Sequence, residues 1–304
     1  MLRRVAHYFI KKYSVPPSEF SIFDEDWDNL IILDACRYDY FEMIYSAYGL
    51  PGRLEKRISP ATETRGFLRR NFVEKRFDVV YITANPFVDL TIAGRVHRII
   101  SVWKTDWDSR FNTVHPESVF KWAVYASRKY KTKRLIIHFV QPHYPYIGFD
   151  FDDGSFKQLK ESAETGKAAY VSCKTKPWVI APAPIYFMAD EKTQRQGYLH
   201  NLQLAVKYVE KLINILPGRT VVTADHGEAF GEKIHPLLPF KIYGHPDGVR
   251  HKVLVEVPWL VVEEEEKEYP EREEQVLTKM YYSCLLRDMR KESLKKLKNI
   301  LRKK

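Results

Sequence analysis

Thr220-Val221-Val222-Thr223-Ala224-Asp225-His226-Gly227-Glu228 is the stretch on which the reading of this chain turns. A short apolar run ends in an adjacent aspartate and histidine, which offer one hard oxygen and one imidazole nitrogen at a strand tip. That donor pair suits a divalent cation such as Mn or Zn better than Ca. Leu30-Ile31-Ile32-Leu33-Asp34-Ala35-Cys36-Arg37-Tyr38-Asp39 has the same design, an apolar strand delivering a carboxylate ahead of a helix-like stretch. Side by side in one sheet, the two strands would bring Asp34, Asp225 and His226 into the crevice where parallel sheets bind ligands. A metalloenzyme is the expectation.

Around these two anchors, strand-like and helix-like segments alternate as in a layered α/β domain. Strands are expected at 30–34, 79–83, 134–140, 220–223 and 253–262, and amphipathic helices at 116–130 and 198–216. The interval 149–184 scatters Gly, Ser, Thr and Pro among lysines without a sustained period, so it is expected to be an insertion or substrate-side loop. Residues 1–28 form an N-terminal amphipathic segment, 29–262 the catalytic domain, and 263–304 a charged connector and helical tail.

The chain has 304 residues, 45% of them hydrophobic, enough for one substantial core. Its three cysteines, Cys36, Cys173 and Cys284, are far apart and support neither a disulfide framework nor a cysteine metal site. A cytoplasmic location is the expectation from that usage. Residues 1–13 are too short and broken in hydropathy for a signal peptide or a span. They are expected to pack on the body as an amphipathic helix, with peripheral membrane contact as the other reading. The formal charge is +10, and part of the basic excess sits at 287–304. A basic surface attracts anions of any kind, and no nucleic-acid-binding signature accompanies it, so an anionic small substrate is expected rather than a specific nucleic acid.

Further segments place polar groups where chemistry is done. Ile58-Ser59-Pro60-Ala61-Thr62-Glu63-Thr64-Arg65-Gly66 sets hydroxyls at the start of a helix, where they either cap it or face an anion. Ile136-Ile137-His138-Phe139-Val140-Gln141-Pro142-His143-Tyr144-Pro145-Tyr146 puts His143 past a strand end, available to a ligand, while core histidines commonly serve only as hydrogen-bond partners. Tyr243-Gly244-His245-Pro246-Asp247 describes a tight loop around His245, and His251, between Arg250 and Lys252, is its rival.

Taken in order, strand-Asp, hydroxyl before a helix, His-x-Pro-Tyr, strand-Asp-His-Gly-Glu and Gly-His resemble the alkaline phosphatase superfamily, in particular its sulfatase-like and phosphoglycerol-transferase branches. The resemblance runs from about residue 29 to 262 and implies a three-layer α/β/α sandwich with a mostly parallel central sheet. It also implies transfer or hydrolysis of a phosphate or sulfate ester through a covalent hydroxyl intermediate. Asp34, Thr64, Asp225 and His226 would bind the metal, with Thr64, preferred to Thr62, as nucleophile. His143 and His245 would hold the ester or belong to a second metal site, and Arg37 would counter the anion's charge. Formylglycine sulfatases carry Cys or Ser followed by x-Pro-x-Arg, which is missing between Ser59 and Arg65, and Ala35 stands where they have a second acid. His226 also replaces the oxygen ligand preferred by their calcium, and together with Ala35 it points to a threonine-based phosphoesterase or phosphotransferase with Mn or Zn. A sulfuric ester hydrolase and a non-catalytic anion- or membrane-binding member of the fold are the alternatives. Since no acid lies within 138–146 to complete a second zinc site, one ion is expected.

Overall fold

The computed structural model describes residues 8–9, 12–18, 20–72, 74–166, 179–180, 188–263 and 271–301. Residues 1–7, 10, 11 and 19 of the expected N-terminal amphipathic segment and residues 264–270 of the charged connector lie outside these residues. A seven-stranded sheet organises the molecule. Its strands are β1 (Asn29–Leu33), β2 (Arg53–Ile58), β3 (Phe77–Thr83), β4 (Val96–Ser101), β5 (Arg134–Phe139), β6 (Thr220–Thr223) and β7 (Glu256–Val262), in the order β2-β7-β6-β1-β5-β3-β4. β1 pairs in parallel with β5 and β6, and β3 with β4 and β5. Only β7 runs against its neighbours, β6 and β2.

Both faces of the sheet are covered, as a parallel sheet requires. Alternation along β1 sends Ile31 and Leu33 to one core and Leu30 and Ile32 to the other. On the first face lie α1 (Tyr38–Tyr48), α4 (Pro116–Lys129), α6 (Glu191–Ile215) and α7 (Glu271–Leu301), contributing Phe41, Val119, Ala123, Leu202, Val206 and Leu277. On the second lie α2 (Thr64–Phe72) and α3 (Pro86–Ile92), with Phe67, Leu68, Phe72 and Val88. The three-layer α/β/α sandwich is therefore observed.

Three local expectations need correction. The interval 149–184 is not wholly irregular: α5 (Ser155–Thr165) forms there between Gly154 and Gly166, both left-handed, and buries Phe156 and Leu159. Residues 167–178 and 181–187 lie outside the described set. The strand expected from 253 begins at Glu256, because Lys252–Val255 closes one helical turn capped by His251. Val253, Leu254 and Val255 pack there into a separate small core, and this burial overrides their β-propensity. The edge strands β2 and β4 escape pattern reading because their partly exposed, charge-bearing sequences lack an apolar run.

A second sheet pairs Ala229–Lys233 with Lys241–Gly244, and Val179–Ile180 adds to its edge. Its register sets Ala229 opposite Gly244, so the residues just outside that pair, Glu228 and His245, emerge together beside the carboxyl ends of β1 and β6.

Candidate active site

In the parallel register Ile32 aligns with Thr223 on one side and His138 on the other. The residues that follow β1 and β6 consequently leave the sheet at the same level. Asp34, Asp225 and His226 offer ligand atoms that all lie within 4.8 Å of one another, and all three are buried. Asp225 Oδ1 accepts the amides of Ala35 (3.1 Å) and His226 (3.0 Å), which locks one strand end to the other. Tyr198 holds the turn after Asp34 from α6: its hydroxyl donates to Ala35 O at 2.7 Å and accepts the Arg37 amide at 2.8 Å. Ala35 sits at φ 60, a left-handed conformation uncommon for a residue with a Cβ.

His226 is oriented by its own loop. Nδ1 lies 2.8 Å from Gly227 O, so Nδ1 carries the proton and Nε2 turns a lone pair inward. That nitrogen stands 3.5 Å from Asp225 Oδ2, 3.6 Å from Asp34 Oδ1 and 3.4 Å from Thr64 Oγ1. Thr64 opens α2, whose first turn is capped by Glu63 through the Arg65 and Gly66 amides. Thr62 has a different task. Its hydroxyl donates to Pro246 O (3.2 Å) and accepts the Gly248 amide (3.1 Å), tying down the loop that carries His245.

Electrostatics in this crevice favour a bound cation. Burial pushes the Asp34 carboxyl well above its ordinary value, and neighbouring Asp225 pushes it further. Burial also holds His226 well below the usual histidine range and brings His138 down to about 4, so both rings are neutral near pH 7. Asp34 Oδ1, Asp225 Oδ2 and His138 Nε2 are buried without a hydrogen-bond partner. Two adjacent carboxylates beside a neutral imidazole, with inward oxygens unsatisfied, cost free energy until a cation arrives, so the donor set fits a divalent metal. Carboxylate, imidazole and hydroxyl donors together suit Zn or Mn.

Beside this cluster, His143, Glu228 and His245 form a second group of ligand atoms within 4.8 Å of one another. His245 Nδ1 is 3.2 Å from Glu228 Oε2, and the His245 ring lies 4.5 Å from that of His226 and 5.0 Å from that of His143. Burial opposes protonation of His245, but the Glu228 carboxylate outweighs it and the net shift is upward. Burial likewise works against the Glu228 charge, and His245 overcomes it, so Glu228 is held below its usual range. The acid absent from 138–146 thus comes from Glu228, five residues past β6's end in the Asp-His-Gly-Glu run.

Not every expected residue faces the crevice. The Arg37 guanidinium is taken up by Asp39 (Nε to Oδ1 2.9 Å, Nη2 to Oδ2 2.6 Å) and by Glu232 (2.6 Å), and it also donates to Glu228 O. Its ion pairs orient the Glu228 backbone instead of presenting charge to an anion. His251 caps the turn at 252–255 and stands outside both clusters. Pattern reading passed over Asn85, whose Nδ2 donates to Asp34 Oδ2 at 2.6 Å while its Oδ1 caps α3. Asn-Pro before a helix was the available signal. His138 Nδ1 meets the Tyr81 hydroxyl at 2.9 Å, the bond of an ordinary core histidine. Its other nitrogen, however, faces Asp34 (3.8 Å) and Asp225 (4.0 Å).

No family model and no curated sequence matches the chain. Among solved structures, the integral membrane lipooligosaccharide phosphoethanolamine transferase A (EptA) of Neisseria meningitidis is 11% identical with a TM-score of 0.48, over 86% of this chain and 54% of that one. The chain therefore spans about half the length of that protein. The C-terminal periplasmic domain of EptC from Escherichia coli, in a complex with Zn, is 11% identical with a TM-score of 0.47, over 83% of this chain and 78% of that one. A protein in the alkaline phosphatase superfamily from Vibrio parahaemolyticus is 12% identical with a TM-score of 0.38, over 88% of this chain and 69% of that one.

The chain has a three-layer α/β/α fold with a mostly parallel central sheet, and its likeness to each of these proteins is remote, at 11% or 12% identity. Within that fold, the expectation of a cytoplasmic location is corrected. The matched E. coli domain is a periplasmic one. Scattered cysteines do not fix a compartment, because buried free thiols such as Cys36 and Cys284 form no disulfide in either redox environment when their partners are out of reach.

Proposed function

We propose that the chain is a divalent-cation-dependent enzyme that transfers or hydrolyses phosphate esters through Thr64. The observation that carries this reading is the convergence of Thr64 Oγ1 and the His226 Nε2 lone pair, 3.4 Å apart, on two carboxylates whose inward oxygens are buried and unsatisfied. Held by Asp34, Thr64, Asp225 and His226, a Zn or Mn ion would lower the pKa of the Thr64 hydroxyl and offset charge on the ester.

Thr64 Oγ1, its hydroxyl proton released to water, attacks phosphorus in line, forming a phosphothreonine as the bond from phosphorus to the leaving alcohol breaks. His245 and His143 adjoin the Asp34, Asp225 and His226 cluster, and His245, whose hold on a proton Glu228 strengthens, would donate to the departing alkoxide. Water or an acceptor alcohol then attacks the same phosphorus and returns Thr64 to its starting state. Asn85, Ser59 and Tyr198 keep the framework still: Asn85 fixes Asp34, Ser59 Oγ donates to Asp225 O at 2.5 Å, and Tyr198 secures the Asp34 turn.

The test is Thr64→Ala assayed on aryl phosphate monoesters, aryl phosphate diesters and aryl sulfates with added Zn or Mn. Phosphate-ester turnover by the native chain, its loss in the variant, and a phosphoryl group mapped to Thr64 in quenched reactions are expected. Full turnover by the variant, or turnover of sulfates alone, would overturn the proposal.

A further inference from the structure

We propose that the outer face of α7 docks on an anionic lipid bilayer surface. The proposal is independent of the catalytic reading. α7 presents two apolar faces. The inner one is used by the fold: Leu277 and Cys284 are buried, Met280, Tyr281 and Leu285 pack against the main core, and Asp288 is enclosed by Tyr125, Lys129 and Arg98. Tyr282, Leu286 and Met289 follow one another at i, i+4 and i+7, on the side of the helix turned away from that core. They are 57%, 67% and 56% exposed. Large side chains left open in such a row signal a surface that meets an apolar phase.

Charge selects the partner. Residues 287–304 hold nine Lys and Arg against two Asp and Glu, a net +7 of the chain's formal +10. A second copy of the chain seated on this face would set like charges against like, whereas anionic headgroups complement them. In the sequence, Leu297 and Ile300 continue the spacing of Tyr282, Leu286 and Met289 among lysines, the composition of a helix lying in a membrane interface. Among the described residues no helix is long and apolar enough to cross a membrane, so contact through α7 would be lateral.

The experiment sediments the purified full chain with vesicles of phosphatidylcholine alone and of phosphatidylcholine with about one-third phosphatidylglycerol. Binding to the anionic vesicles is expected to exceed binding to neutral ones by at least about tenfold and to fall by a similar factor at about 0.5 M salt. Leu286→Gln with Met289→Gln should weaken binding by about tenfold or more while circular dichroism and melting temperature stay unchanged, since both side chains are exposed. Arg290→Glu should weaken it with the anionic vesicles only. Equal binding to both vesicle types, no binding to either, or undiminished binding by the double variant would overturn the proposal. So would a dimer in solution that the double variant abolishes, because a second copy would then be the occupant.

Discussion

Thr64 Oγ1 stands 3.4 Å from His226 Nε2, across 162 residues of chain, while Thr62 is turned away to Pro246 and Gly248. The two threonines should therefore fail differently. Thr64→Ser keeps a hydroxyl at the helix start and should retain measurable turnover, whereas Thr64→Ala should lose about a thousandfold or more in kcat. Thr62→Ala removes a loop fastening, so it should raise KM and lower melting temperature with a smaller effect on kcat. Steady-state kinetics of the three variants on one aryl phosphate separate these roles, and a kcat collapse in Thr62→Ala would reverse the assignment.

Gly227 has no room for a side chain. A Cβ there would lie 2.0 Å from Val253 O, a backbone atom that cannot step aside alone. Gly227→Ala should cost about 2 kcal/mol or more by overpacking, and it should weaken metal binding because the same loop orients His226. Chemical denaturation and zinc titration check the two effects, and an unchanged midpoint would show that the loop yields freely.

Asp34 gives a pH signature to the metal-free protein. Its folded-state pKa is raised by burial and by Asp225, so between about pH 4, the ordinary aspartate value, and the raised folded value the native state holds a proton that the unfolded state has lost. Stability from this residue therefore falls as pH rises through that window. Asp34→Asn cannot titrate, so the melting temperature of the native chain minus that of the variant should decline with rising pH in chelator. Saturating zinc should reverse the decline, because a cation favours the ionised carboxylate. A flat difference would mean that Asp34 is not perturbed.

Glu228 sets the state of His245. Since His245 is raised above the usual histidine value by Glu228 against the pull of burial, its imidazolium persists to higher pH in the native chain. If that proton serves the leaving group, kcat/KM should fall as pH rises through the raised value. In Glu228→Gln burial acts unopposed, so the fall should move to lower pH. A second cation would take the same three side chains, so excess zinc should inhibit the native chain more than the variant. Identical pH profiles would remove His245 from proton transfer.

Much of this was readable along the chain. Apolar runs closed by Asp34 and by Asp225-His226 specify strands with donors at their tips, because side-chain type and hydropathy act locally. The same local signals place α4, α6 and the helix start at Thr64. Other features have no local signature. β2 and β4 are edge strands whose partly exposed, charge-bearing sequences lack an apolar run, and α5 lies in a segment whose composition reads as loop. Val253–Val255 prefer a strand by propensity, yet burial in the small core holds them in a helical turn.

The sequence by itself determined which residues could bind a cation, since oxygen and nitrogen donors are properties of the residue types. Only the tertiary structure decided which of them meet. The parallel register of β1 with β5 and β6 brings His138 to Asp34 and Asp225, and the pairing of Ala229 with Gly244 brings Glu228 to His245. Partner choice also withdrew Arg37, whose guanidinium is satisfied by Asp39 and Glu232 before any substrate arrives. The physical reason is that a donor's role depends on what fills its remaining hydrogen-bonding and charge capacity, and residues distant in the chain supply that.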